Sequence, residues 1–163
     1  MRYAFVAEFA DSTTRVRTLA FWAGDKLLGN FEYELVGTPC EDVARGNICH
    51  HPDHVSHDFP NDAGLQALSA ASYLGVPLCD QSGAVLGHLA VMDNSPMPQQ
   101  PRNLAVLRIF ATRVRTEMLR LRAEQQLEQA NLRLEEQVRL RTFCGTLARH
   151  LEVGSKASGM PMP

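Results

Sequence analysis

The chain has 163 residues, 45% of them hydrophobic, and a formal net charge of −2. That is enough for one domain burying roughly 70% of its unfolded surface, and too neutral to make nucleic acid or an acidic membrane surface a partner of the whole chain. No apolar run approaches the roughly 20 residues that span a bilayer, and the N-terminus lacks the pattern of a secretory signal, so the expected compartment is the cytoplasm. There Cys40, Cys49, Cys79 and Cys144, which show no C-x-x-C spacing, are expected as free thiols, with neither disulfide nor structural zinc. Charge is unevenly divided, since residues 1–100 carry 5 basic and 12 acidic groups and residues 101–163 carry 11 and 6.

In chain order, residues 4–9 predict a strand, Asp11-Ser12-Thr13-Thr14 a turn, residues 16–22 a second strand, 23–26 another turn and 27–36 a third strand, all consecutive and antiparallel. Phe21 and Trp22 point to opposite faces of the second strand, so only one of them can line a pocket. Thr38-Pro39-Cys40-Glu41 then offers a hydroxyl N-cap, a proline at the first helical position and a carboxylate at the third. This helix should last about two turns, because Gly46 can take the left-handed conformation that closes it.

A short strand is expected at 48–50, followed by an irregular segment to residue 61 rich in His, Pro and Asp. Asp62 can cap a helix whose apolar positions Leu65, Leu68 and Ala71 follow helical spacing. Residues 73–79 and 84–92 predict two apolar strands joined by the hairpin loop Asp80-Gln81-Ser82-Gly83. The segment from Asn103 to about Leu140 lacks both Gly and Pro and predicts one continuous helix. Leu104, Leu107, Phe110, Ala111, Val114, Met118 and Leu121 form a stripe wide enough to meet both the sheet and a partner helix. Beyond it Leu127, Asn131, Leu134 and Val138 follow the 4-3-4 seam of a two-stranded coil, with Asn131 as a polar position that fixes register. Three parts result: a core over 1–100, a signalling and dimerisation helix over 101–141, and a tail over 142–163 that is expected to be partly disordered.

The stretches Gly37-Thr38-Pro39-Cys40-Glu41-Asp42-Val43, Phe59-Pro60-Asn61-Asp62 and Tyr73-Leu74-Gly75-Val76-Pro77-Leu78, with Gly83-x-x-x-Gly87-His88-Leu89, carry a resemblance to the GAF domains of bacterial sensor kinases and regulators, over roughly residues 3–122. The resemblance implies an α/β (α+β) fold of the GAF/PAS type, a central antiparallel sheet flanked by helices with a long C-terminal helix. It also implies a sensory module that binds a small molecule and signals through a dimeric helix to a separate output domain or kinase. Most GAF domains have a helix before the first strand, whereas this chain begins only a few residues before it. Either the chain is a fragment or that helix is missing, and a missing helix would leave one sheet face less covered and favour dimerisation over it.

Candidate ligand-binding residues are Cys49, His50, Phe59, Tyr73 and His88, and candidate dimerisation residues are Leu107, Val114, Met118, Leu121, Leu127, Leu134 and Val138. Bilin-binding GAF domains anchor their chromophore on a Cys-His pair in the helix before the hairpin. Here that helix reads Leu65-Gln66-Ala67-Leu68-Ser69-Ala70-Ala71, and Cys49-His50 lies elsewhere. The motif set of cyclic-nucleotide GAF domains is not found. Cys40 stands near the position of a cysteine in the free methionine sulfoxide reductases, but their later His-Ile-x-Cys-Asp stretch has no counterpart. If the segment were helical, His50, His54 and His57 would share a face and could meet a metal, an arrangement Pro52 opposes. The reading is therefore no enzyme, no metal and no cofactor, with a ligand-free dimerisation module and a thiol enzyme as the competing classes.

Overall fold

The computed structural model describes residues 1–10 and 13–156, with side-chain surroundings as far as residue 139. Of the turn expected at 11–14, Asp11 and Ser12 lie outside the described residues. Two compact units are present, Met1–Leu119 and Arg120–Pro163.

The first unit is built on one antiparallel sheet in the order β3-β2-β1-β7-β6-β5, with β4 also paired to β2. Its strands are β1 (Tyr3–Phe9), β2 (Arg15–Ala23), β3 (Lys26–Leu28), β4 (Glu32–Glu34), β5 (Cys49–His51), β6 (Ser72–Cys79) and β7 (Val85–Asp93). The third strand of the sequence reading is two strands. The β1/β2 register slips between Val6 and Ala7, and the chain after Leu28 must cross that irregularity to pair again. Thr18 accommodates the break, since its hydroxyl accepts from the Phe31 N–H at 2.9 Å and its own N–H donates to the Phe31 carbonyl at 2.9 Å.

Helix α1 (Cys40–Ala44) forms where the sequence places it, but its start is built differently. The Thr38 hydroxyl donates to the Leu35 carbonyl at 2.7 Å instead of capping the helix, while the Glu41 carboxylate reaches back to the Gly37 N–H at 3.1 Å. Gly46 closes it at φ 93°. Within the stretch read as irregular, Val55–Asp58 makes a single helical turn, α2. Helix α3 (Ala63–Leu68) is capped by Asp62, whose Oδ1 accepts from the Leu65 N–H at 3.0 Å.

Strand parity sends the side chains to two cores. On one face Phe5, Ala7, Val16, Phe21, Tyr73, Ala90 and Met92 meet α1, α2 and α3. On the other, Leu74, Val76, Leu78, Leu89 and Val91 pack with Leu107, Ala111 and Met118, with Leu104 and Val114 alongside. The last five residues belong to α4 (Pro101–Lys156). The compact unit runs beyond residue 100 to Leu119, because about four turns of α4, from Leu104 to Met118, pack on the sheet. The helix likewise continues past residue 141 to Lys156, and 157–163 of the expected tail lie outside the described residues.

This packing corrects the dimer assignment in part. Leu107 and Met118 are buried and Val114 half-buried within one chain, so none of them offers a free apolar face. Phe110, part of the stripe expected to meet both the sheet and a partner helix, is exposed, as are Val106 and Ile109; it lies about 60° from Leu107 around the helix, at the stripe's edge. In the second unit Leu121, Leu127, Leu134 and Val138 are all exposed.

Candidate functional site

A cavity of about 140 Å³ lies between the sheet and helices α1 and α3. The sheet contributes Phe5 from β1, Phe21 from β2, Tyr33 from β4, Tyr73 from β6 and Met92 from β7, and Phe31 leads into β4. The facing wall is Pro39 and Cys40 at the start of α1, with Asp62, Gly64, Leu65 and Leu68 from α3 and its cap. Parity and register explain the convergence. Phe5 pairs with Phe21, and Tyr73 with Met92, which places all four on one face.

Polar atoms gather at the α1 end. The Tyr73 hydroxyl donates to Cys40 Sγ at 3.3 Å, and the Tyr33 hydroxyl donates to the same sulfur at 3.5 Å. Tyr33 Oη also lies 2.9 Å from His88 Nε2. A phenol has one proton, so all three bonds coexist only when His88 carries its proton on Nε2 and donates it to Tyr33. His88 Nδ1 is then a buried acceptor, and it has no partner among the described residues.

Burial dominates the titration of this group. It pushes the Cys40 thiol up to about 11 against the opposing hydrogen bonds from Tyr33 and Tyr73, and it pushes Cys49 up to about 11 as well. It lowers His88 to about 4, and it raises both Tyr33 and Tyr73 well above the ordinary phenol. At neutral pH the cluster is uncharged, leaving Asp62 as the only carboxylate in the lining.

Of the five candidate ligand residues, only Tyr73 lines the cavity. His88 sits behind it, joined through Tyr33 and edge-on to Phe5 at 5.6 Å. Cys49 is buried in the same core without reaching the cavity wall. His50 is paired with Leu74 and so faces the α4 side, where its Nε2 lies 3.1 Å from the Met97 carbonyl. Phe59 packs edge-on to His51 at 5.1 Å. Of the segment from Cys49 to Asp62 only Asp62, the cap of α3, reaches the lining, because β5 is an edge strand and α2 lies outside the cavity. His51 instead pairs with Asp58 at 3.2 Å, while His54 and His57 are exposed. Among the described residues no three His, Cys, Asp or Glu side chains come together as metal ligands.

Of the alternatives Phe21 and Trp22 it is Phe21 that lines the cavity, while Trp22 is exposed; Phe5, its partner on the same face, was not singled out. Tyr33 and Phe31 carry no local signal, since they reach the cavity only through the second pairing of β2.

The sequence profile of the GAF domain family matches residues 17–118, from β2 through the sheet-packed turns of α4. The chain belongs to the GAF domain family. Solved GAF domains share the fold. That of an Acinetobacter phosphoenolpyruvate-protein phosphotransferase is 14% identical over 76% of this chain and 73% of that one, with a TM-score of 0.55. The phycocyanobilin-bound GAF domain of a cyanobacterial phytochrome is 13% identical over 72% and 74%, with a TM-score of 0.50. No curated protein matches the chain. The GAF domain here is thus one of a family of sensory and regulatory small-molecule-binding domains, on an antiparallel sheet with a long C-terminal helix.

Proposed function

We propose that this GAF domain is a signal-input module that binds a small molecule in the cavity between the sheet and α1/α3, and that transmits occupancy through α4, paired with α4 of a second copy, to a separate output domain or kinase. The observation that carries this reading is the cavity itself. Side chains do not fill it, and its volume of about 140 Å³ is close to the roughly 150 Å³ of an apolar cavity that accepts benzene. It is smaller than the roughly 300–1,000 Å³ of sites for drug-sized ligands, so an open-chain tetrapyrrole such as the phytochrome's phycocyanobilin does not suit it.

Strand β7 supplies a route for the signal. Met92 lines the cavity, while its neighbours Val91 and Leu89 pack on the opposite face with Leu107, Ala111 and Met118 of α4. A ligand that bears differently on Met92 in two packing states would bias the helix through two layers in direct contact. The thiols support regulation over catalysis. With a pKa near 11, Cys40 and Cys49 hold on the order of one thiolate in ten thousand at pH 7, and a nucleophilic cysteine needs the opposite shift.

Native mass spectrometry of the purified chain tests the reading. The expected result is a dimer whose subunits each retain or take up one small molecule. A bare dimer that takes up none would favour a ligand-free dimerisation module, and a monomer would remove the helix-pairing step.

A further inference from the structure

The cavity lining is uneven, with aromatic rings on one side and a single carboxylate on the other. Phe5, Phe21, Phe31 and Tyr33 form a closed circuit of ring contacts, with centroids 5.9 Å apart for Phe5–Phe21, 5.7 Å for Phe21–Phe31, 5.8 Å for Phe31–Tyr33 and 6.4 Å for Tyr33–Phe5. Three of the four contacts are edge-to-face, an arrangement that a further ring continues favourably. Phe31 is also 47% exposed, so this wall reaches solvent through it.

Opposite the rings, no Lys or Arg lines the cavity, and Asp62 is the one charged group. Its Oδ1 is engaged by the Leu65 N–H, whereas Oδ2 has no hydrogen bond among the described residues. A Cβ on Gly64 would lie 3.2 Å from Oδ1, so the glycine leaves the carboxylate uncrowded on that side. Aromatic faces carry negative quadrupole potential, and the carboxylate adds to it. An anion entering here would lose its hydration for a site with no compensating cation. The guanidinium groups of Arg108 and Arg115 serve a different groove, between β6 and α4.

On the strength of the small-molecule reading above, we propose that the cavity selects a small monocyclic aromatic cation of the arylalkylamine class. The ring lies against the Phe5, Phe21, Phe31 and Tyr33 wall, and the ammonium group donates to Asp62 Oδ2. Neutral isosteres bind more weakly, and aryl carboxylates are rejected.

The test is a titration of the full chain with three probes matched in size, 2-phenylethylamine, 2-phenylethanol and phenylacetate, followed by calorimetry and by the amide signals of Leu65, Leu68 and Met92. It is repeated with Asp62→Asn, which removes the charge while retaining a side chain that caps helices as well as aspartate does. The amine should bind at least tenfold tighter than the alcohol, with phenylacetate weakest. Asp62→Asn should reduce amine affinity about tenfold and leave the alcohol unchanged. Equal binding of amine and alcohol, indifference to Asp62→Asn, or preference for phenylacetate would overturn the cation selectivity while leaving the small-molecule site in place. If none of the three perturbs the cavity amides, the site reading falls with it.

Discussion

Gly75 shows how one residue shapes the cavity. A Cβ there would sit 2.4 Å from the Tyr73 hydroxyl and 2.8 Å from Val43 Cγ2, so Tyr73 can fold across its own strand toward Cys40 only because position 75 carries no side chain. Gly75→Ala should displace the Tyr73 ring and lower stability by about 1–3 kcal/mol, the usual cost of overpacking. Tyr73→Phe in the same background removes the nearest clashing atom and should recover part of the loss. Urea unfolding of wild type and the two variants measures both effects, and a Gly75→Ala protein as stable as wild type would show that Tyr73 is not confined. At this scale the sequence named Tyr73 among its candidate ligand residues, and the residue lines the cavity. The motif containing Gly75 was legible as a hairpin strand, yet the reason for the glycine was not, because it depends on Val43 arriving from α1.

At the scale of elements, local chemistry was read well where a single residue decides. Asp62 caps α3, Gly46 ends α1, and Asp80 accepts from the Ser82 and Ala84 N–H groups within the β6/β7 loop. Where two signals competed the reading failed, as with Thr38, whose hydroxyl is taken by the Leu35 carbonyl.

Helix α4 is the instructive case. Its stripe was legible, but periodicity does not say how wide a face the sheet covers, so it did not separate Leu107 and Ala111, which are buried, from Phe110, which is exposed. Pairing between copies is expected to fall on the distal seam, where Leu127 and Leu134 are 64% and 58% exposed. Both positions lie in the second unit. Leu127→Lys with Leu134→Lys should therefore turn a dimer into a monomer, seen in sedimentation equilibrium, while the thermal midpoint of the sheet unit at the monomer's concentration stays within a few degrees. A double variant that remains dimeric would shift the pairing surface to Val106, Ile109 and Phe110 or to the sheet face bearing Trp22 and Leu27, all exposed in the described chain.

At the scale of the whole molecule, the antiparallel sheet with two covering layers follows from alternation and hairpin spacing, and both are present in the sequence. The assignment of chemistry to one face is not, because it needs the register of β2 against both β1 and β4 and the crossing that brings β7 between β1 and β6. His88 illustrates the consequence. It was placed correctly on the hairpin strand, but only the assembled sheet buries it completely against Phe5 and Tyr33.

That burial ties the stability of the sheet unit to acid. His88 has a pKa of about 4 in the fold against 6.5 when unfolded, so between those values the unfolded chain binds a proton that the folded chain does not. Stability from this group is fully present above about pH 6.5 and is lost as pH falls toward 4, by roughly 3 kcal/mol in all. Urea unfolding at steps from pH 7.5 to 4.5 should show the decline. His88→Gln, whose amide can still donate to Tyr33 but cannot titrate, should be less stable than wild type at pH 7.5 and lose less on acidification, so that the two curves converge. Parallel curves would mean that His88 takes up its proton equally in both states, and that the neutral Tyr33–His88–Cys40 cluster is not what holds this end of the cavity together.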